Sequence, residues 1–364
     1  MTVQSLLPLG MSRIFRCWFA GLALVGGMSD VGLAADPIDE KRDAAERSRS
    51  ESEDMPAEAT RPSLARRALD WRSVTGFQAW GDVAWLRGYR LQRHAIEGTH
   101  RVIDPERAIL VQGDRSGCEA FLEEIRVTKR LEPMRGEVVL LLHGIVRTGR
   151  SMRRLESGLV EKGHTVCSLD YPGTWVGIPE CADYLREVVA SMPEVERFHF
   201  ATHSMGGLVV RSYLSSGVEP RHGRLVMLGT PNKGAELATM LRSFPPFRWT
   251  LGPAGQQLAH APGEFVHTLP VPEVEFGIIA GARGSSLGFN PFLDGDDDGT
   301  VSVASSRLEG AADFTTVMSM HALLPGVPES IAAVDRFVRT GAFRETGERQ
   351  PIPPSRGAQS NTAR

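Results

Sequence analysis

Along the middle of the chain, runs that are apolar at successive positions alternate with runs in which apolar residues recur every three or four. Val138–His143, Thr165–Asp170, Phe198–Thr202 and Arg224–Gly229 are of the first kind, and Val138-Val139-Leu140-Leu141-Leu142 holds no polar position at all. A strand apolar on both sides is buried on both faces, as in a parallel sheet covered by helices. Ser151–Lys162, Ile178–Ser191 and Gly207–Ser215 are of the second kind and predict helices between those strands. Further on, Val274–Ala280 and Thr315–Ser319 predict strands and Pro328–Arg339 a closing helix. Upstream, Tyr89–Ile103 reads as a hairpin-like pair of strands and Gly117–Arg126 as a short amphipathic helix. Strand–helix alternation of this kind predicts an α/β fold, a doubly wound and mostly parallel sheet with helices on both faces. Ligands of such sheets bind beyond the carboxyl ends of the strands.

The flanks break this pattern. Residues 1–35 carry a basic start (Arg13, Arg16), an apolar run from Cys17 to Met28 and small residues at Gly32, Ala34 and Ala35. That order predicts a signal peptide and export to the periplasm or beyond, with an uncleaved N-terminal anchor as the alternative. Residues 36–67 hold almost no large apolar side chain and are expected to be a disordered linker; residues 344–364, with Pro351, Pro353 and Pro354, are expected to be a disordered tail. Between them, residues 68–343 form one predicted α/β domain, of which 68–135 is an N-terminal elaboration. Export leaves Cys118, Cys167 and Cys181, an odd number: one internal bridge at most, its pairing open. With 23% charged residues and a net charge of −3, no basic face is available, so no nucleic-acid partner is expected.

The candidate chemistry centres on Phe198-His-Phe-Ala-Thr-His-Ser-Met-Gly-Gly-Leu. A predicted strand meets a predicted helix at Ser204, and glycines follow at 206 and 207. A tight strand–turn–helix holds a serine hydroxyl clear of its own backbone, open to a base on one side and a substrate on the other. The bland alternative is a helix-capping serine. A nucleophile needs a base, an orienting carboxylate and oxyanion donors. His321, in a loop after a late strand, is favoured as the base over His260 and His267, which lie in a Pro/Gly-rich excursion. In the run Asp294-Gly-Asp-Asp-Asp-Gly-Thr-Val, Asp298 stands at the return to the core, and Asp296 and Asp297 are expected in solvent. Asp294, Asp296 and Asp298 also match the front of a calcium loop, but position twelve would be Ser305, so no metal is expected. Met205 and Ile145 are the expected backbone donors of an oxyanion hole, with His143 and Gly144 lining it.

Leu142-His-Gly, the Ser204 elbow, Gly229-Thr-Pro-Asn-Lys-Gly, Asp298-Gly-Thr-Val and His321 together resemble the α/β-hydrolase superfamily over roughly residues 138–343. The likeness is nearest to bacterial triacylglycerol lipases and to GPI-inositol-deacylase-like serine hydrolases. It implies Ser204 as nucleophile, Asp298 as acid, His321 as base, no cofactor, and a serine esterase or lipase acting on an ester or lipid. One departure is Thr202, where the family usually has glycine. The excursion 234–272, with Leu237 and Leu241 as candidate substrate contacts, is read equally as a lid over an acyl pocket or as core-packing helices. Transient contact with a membrane or lipid surface fits such a substrate. The competing readings are an acyltransferase using the same residues and an inactive hydrolase scaffold used for binding.

Overall fold

The computed structural model describes residues 78–241, 245–260 and 263–354. The expected leader (1–35), linker (36–67) and end of the tail (355–364) lie outside the described residues, all of which fall in one compact unit.

Its centre is a six-stranded sheet with strand order β10-β9-β8-β7-β5-β6. The strands are β5 (Gly136–Leu142), β6 (Thr165–Leu169), β7 (Val195–His203), β8 (His222–Leu228), β9 (Phe276–Ala282) and β10 (Asp313–Met318). Every pairing among them is parallel. From β5 the chain steps out to β6 and then crosses back to β7 on the other side of β5. The winding therefore reverses between β5 and β7, and the crevice beyond their carboxyl ends is the place where such a sheet receives a ligand.

The apolar runs are buried because both faces are covered. On one face, Val139, Leu141, Ala201, Val226 and Ile279 pack against α2 (Arg153–Glu161) and α9 (Pro328–Thr340) through Leu155, Leu159, Val334 and Phe337. The opposite face carries Phe198 and Phe200, fully buried, and is covered by α3 (Ile178–Ala190) and α4 (Met205–Leu214). Burying one such side chain is worth about 1.5–3 kcal/mol, so these phenylalanines anchor the strand that leads to Ser204. Helix ends follow local chemistry: α9 starts at a proline and stops at Gly341, whose φ of 77° is the left-handed C-cap conformation.

The N-terminal elaboration holds more than the expected hairpin. β1 (Trp80–Leu86), β2 (Tyr89–His94), β3 (His100–Ile103) and β4 (Ile109–Gly113) form an antiparallel sheet in chain order. The helix α1 (Arg115–Thr128) packs on it around Val83, Leu91, Val102, Cys118 and Ile125. The tail is also ordered further than composition suggests. Ile352 is buried, its backbone bonds to Gly310 and Ala311, and Gln350 N donates to Asp313 Oδ1 at 2.8 Å. One apolar side chain and a few backbone bonds suffice to pin this proline-rich stretch. Cys118, Cys167 and Cys181 are all buried and free.

Candidate active site

Ser204 joins β7 to α4 with φ 55° and ψ −126°. A non-glycine residue held there carries roughly 1–3 kcal/mol of strain, which the surrounding structure must impose. Neighbours do so from both sides. Ser204 N donates to Leu228 O at 2.8 Å, and Thr230 Oγ1 donates to Ser204 O at 3.0 Å. Gly206 is needed for close approach: a Cβ there would lie 2.6 Å from Leu142 O and 2.8 Å from His143 O. The helix-capping alternative finds no support, since the Ser204 side chain makes no cap hydrogen bond. Thr202 is fully buried and its hydroxyl donates to Val226 O at 3.2 Å, so the β-branched residue is absorbed into the β7–β8 pairing rather than crowding the elbow.

His321 follows β10, and its Nδ1 lies 2.7 Å from Asp298 Oδ2. Its backbone N donates to Asp298 O at 2.8 Å. Asp298 is buried, and its Oδ1 accepts from Val301 N at 2.8 Å and Thr300 N at 3.0 Å. A buried carboxylate on Nδ1 makes that nitrogen the donor and leaves Nε2 free to take a proton. The exit of β8 passes beside this pair, since a Cβ on Gly229 would be 3.2 Å from Asp298 Oδ2 and from His321 Nδ1.

His203, the residue before Ser204, was assigned no role from the sequence. Its ring centroid lies 4.7 Å from that of His321, and its Nε2 is 2.9 Å from His321 O. Burial, then the neighbouring His321, holds its pKa well below that of an ordinary imidazole. The neutral ring therefore donates from Nε2 to the His321 carbonyl. Ser204 and His321 are thus brought to the same rim through His203; among the described residues no hydrogen bond joins the hydroxyl to the imidazole. In ligand-free sites that bond commonly tightens only when substrate arrives. The rival bases turn elsewhere: His260 Nδ1 is 2.5 Å from Lys233 O, and His267 Nε2 is 3.2 Å from His260 O.

The expectation that Asp296 and Asp297 are solvated is corrected. Asp297 is fully buried and accepts from Phe289 N (3.2 Å), Asn290 N (3.0 Å) and Gly299 N (2.6 Å). Asp296, half-buried, accepts from Arg283 N at 2.8 Å and Gly284 N at 3.0 Å. The loop between β9 and α8 (Val303–Ser306) has few strand partners for its amides, so side-chain carboxylates take them. Burial pushes the Asp297 carboxyl up despite those amides. Among the described residues no group of three His, Cys, Asp or Glu side chains is placed to hold a metal ion.

On the other side of Ser204 lies the loop that leaves β5. A Cβ on Gly144 would be 3.0 Å from Ser204 Cβ and 3.5 Å from its Oγ, so only glycine leaves the space before the hydroxyl open. His143 is buried, stacks on Tyr171 at 4.2 Å between centroids, and accepts a hydrogen bond from the Tyr171 hydroxyl at its carbonyl. Ile145 is half-buried, and Met205 is fully buried as the first residue of α4.

The excursion comprises α5 (Glu236–Leu241), α6 (Pro245–Gln256), broken at Gly252, and α7 (Phe265–Thr268). Leu251, Ala254, Leu258, Ala259 and Val266 are buried, so much of it packs on the domain. It also reaches the loop that leaves β5, because a Cβ on Gly255 would lie 3.4 Å from Ile145 Cδ1. Leu237 is buried on α5; Leu241 closes that helix, with its side chain outside the described ones. Arg211 of α4 is buried and donates to Asn232 O (3.3 Å) and Leu269 O (2.7 Å), which ties both stems of the excursion to the helix after Ser204. A cavity of about 230 Å³ lies elsewhere, between β1, α1 and the end of α3, and shares no lining residue with this site.

The family model described as "Alpha/beta hydrolase family" matches residues 139–355, more than half of the chain. No curated protein matches. Among solved structures, the chain is similar to the Bacillus licheniformis lipase BlEst2 in its mature form, at 19% identity and a TM-score of 0.46, over 56% of this chain and 91% of that one. It is similar to the metagenomic carboxyl esterase MGS0156 at 19% identity and a TM-score of 0.40, over 52% and 66% of the two chains. It also resembles phospholipase PlaB from Legionella pneumophila at 18% identity and a TM-score of 0.36, over 47% and 45%.

Proposed function

The chain belongs to the alpha/beta hydrolase family, and on that premise we propose that it is a serine hydrolase of carboxylic esters with Ser204, His321 and Asp298 as its catalytic residues. The observation that carries this reading is the strained backbone of Ser204 at the sheet's crevice, on the same rim, through His203, as an imidazole whose Nδ1 sits 2.7 Å from a buried carboxylate. Ser204 Oγ attacks the ester carbonyl while His321 Nε2 takes its proton. Asp298 stabilises the imidazolium through Nδ1–H. The developing oxyanion is held by the backbone N–H groups of Met205 and Ile145, each worth about 3 kcal/mol in the transition state. His321 returns the proton to the leaving alcohol, and water then repeats the sequence on the acyl-enzyme, restoring Ser204.

The apolar composition of the excursion, Leu237 and Leu241 included, supports an acyl chain as the part of the substrate bound there. The exposed Met318, Met320 and Leu323 around His321 support a substrate presented at a lipid surface. The leader-like residues 1–35 support an exported enzyme, which sequencing of the mature N-terminus checks. A series of p-nitrophenyl esters from acetyl to palmitoyl tests the activity: hydrolysis by the wild type and its loss in Ser204→Ala are expected. Release no faster than the Ser204→Ala background with every ester would overturn the reading.

A further inference from the structure

The antiparallel sheet β1–β4 lies outside the residues that match the family, yet its charges lead to the candidate oxyanion loop. The link is Asp170, which follows β6 and is buried. Its Oδ1 accepts from Gly149 N at 2.7 Å, at the far end of the loop that begins at His143. Its Oδ2 is bonded to Arg107, from the β3–β4 turn, and lies 3.3 Å from Nη1 of Arg90 on β2. The next residue, Tyr171, holds the near end of the loop through the His143 carbonyl. Ser168 Oγ adds a bond to Gly149 O at 3.0 Å, and Gln78 Nε2 one to Arg147 O at 3.1 Å. Within the loop so clamped, Val146 has φ 56°, a left-handed conformation disfavoured for a β-branched residue.

A buried carboxylate cannot hold the loop amide as a full anion unless its charge is met. Burial would raise the Asp170 pKa; Arg107 and Arg90 outweigh it and keep the carboxyl below its usual range. Asp82 of β1 fixes the position, accepting from Asp170 N at 2.7 Å and donating its own N to Asp170 O at 2.9 Å. We infer that Arg107 and Arg90 are positioning residues which, through Asp170, set the 143–149 loop and with it the Ile145 amide. On this account Arg107 and Arg90 of the N-terminal sheet support the loop beside Ser204 without touching it. The inference rests on the serine-hydrolase reading above.

Arg107→Gln removes one of the two guanidiniums on Asp170 and leaves Arg90 in place to meet part of its charge. The expected result is a roughly tenfold lower kcat with KM unchanged, and weaker inhibition by a boronic acid that mimics the tetrahedral intermediate. Arg107→Lys, which keeps the charge and loses the fork, should fall between the two, and it carries the comparison if Arg107→Gln does not fold. Arg115→Gln is the control, since it breaks ion pairs on the same sheet-and-helix unit to Glu119 and Glu187 that do not reach Asp170. It should leave kcat within about twofold of wild type. An unchanged kcat in folded Arg107 variants, or an equal loss in Arg115→Gln, overturns the inference while leaving wild-type activity intact. An inactive wild type would instead fail the functional reading on which the inference depends.

Discussion

Two buried aspartates flank the crevice at Ser204, and they are built differently. Asp298, beyond β9, is satisfied locally: two amides within three residues of it and the His321 imidazole take its oxygens. Asp170, beyond β6, holds a loop amide with one oxygen and is balanced by guanidiniums 80 and 63 residues away in sequence. In the proposed mechanism the first carboxylate acts on a side chain that moves a proton, so it needs a fixed acceptor and no competing cation. The second acts on backbone that must stay still, and ion pairing to another sheet serves that purpose. On the proposed reading, acid–base function and oxyanion function would be held by separate scaffolds, one from the family-matching region and one partly from outside it.

The sharpest way to break that division is at Asp298. Asp298→Asn should lower kcat by about 10⁴, because the amide permits the wrong imidazole tautomer while the fold persists. Asp297→Asn, one residue earlier, should act mainly on stability, since Asp297 touches only loop amides. Circular dichroism melts beside steady-state kinetics separate the two; a loss of 10⁴ in the folded Asp297 variant would show that the loop acts as one catalytic unit.

A second test strikes the seat where the two sides meet. Gly206→Ala puts a Cβ 2.6 Å from Leu142 O, against backbone that cannot swing away. Urea denaturation should show a loss of about 1–3 kcal/mol. A neutral result would mean that α4 and β5 are less tightly seated than this geometry requires.

The smallest effect is on pH. His143, His199 and His203 all have folded pKa values lowered chiefly by burial, His199 to about 4. As pH falls below about 6.5, the unfolded chain takes up these protons first, so stability falls from there down to the folded values. Asp82, raised to about 6 by burial, works the other way, its penalty lifting as pH falls from 6 toward 3.8. Burial lowers His100 and His222 in the same way, and it raises Glu156 and Asp297 as it does Asp82. With five imidazoles against three carboxyls, the urea midpoint should be lower at pH 5 than at pH 7.5; a higher midpoint would assign the dominant role to the carboxyls.

How much of this was legible in the sequence follows from the distance over which each contact forms. The strand–turn–helix at Ser204 is local, and its apolar strand and following glycines announce it. The meeting of Asp298 with His321 could be anticipated because chain order and the β-sheet edge constrain where a late acid and a late base can stand. The buried role of Asp297 was missed because three successive aspartates look alike until the loop's unpaired amides are known. β1 and β4 were missed for another reason: WGDVAWL mixes apolar and polar positions without a clear period, and four of the five β4 residues are exposed. Asp170 and His203 carry no sequence signal of their own. What defines them is a partner in space, and for His203 that partner is 118 residues away.

A fluorophosphonate probe reads the activation of the Ser204 hydroxyl directly. A single adduct is expected on the peptide carrying Ser204, formed far more slowly in His321→Ala and absent in Ser204→Ala. Equal labelling of Ser204→Ala, or a wild-type chain that the probe leaves unmodified, would contradict that activation.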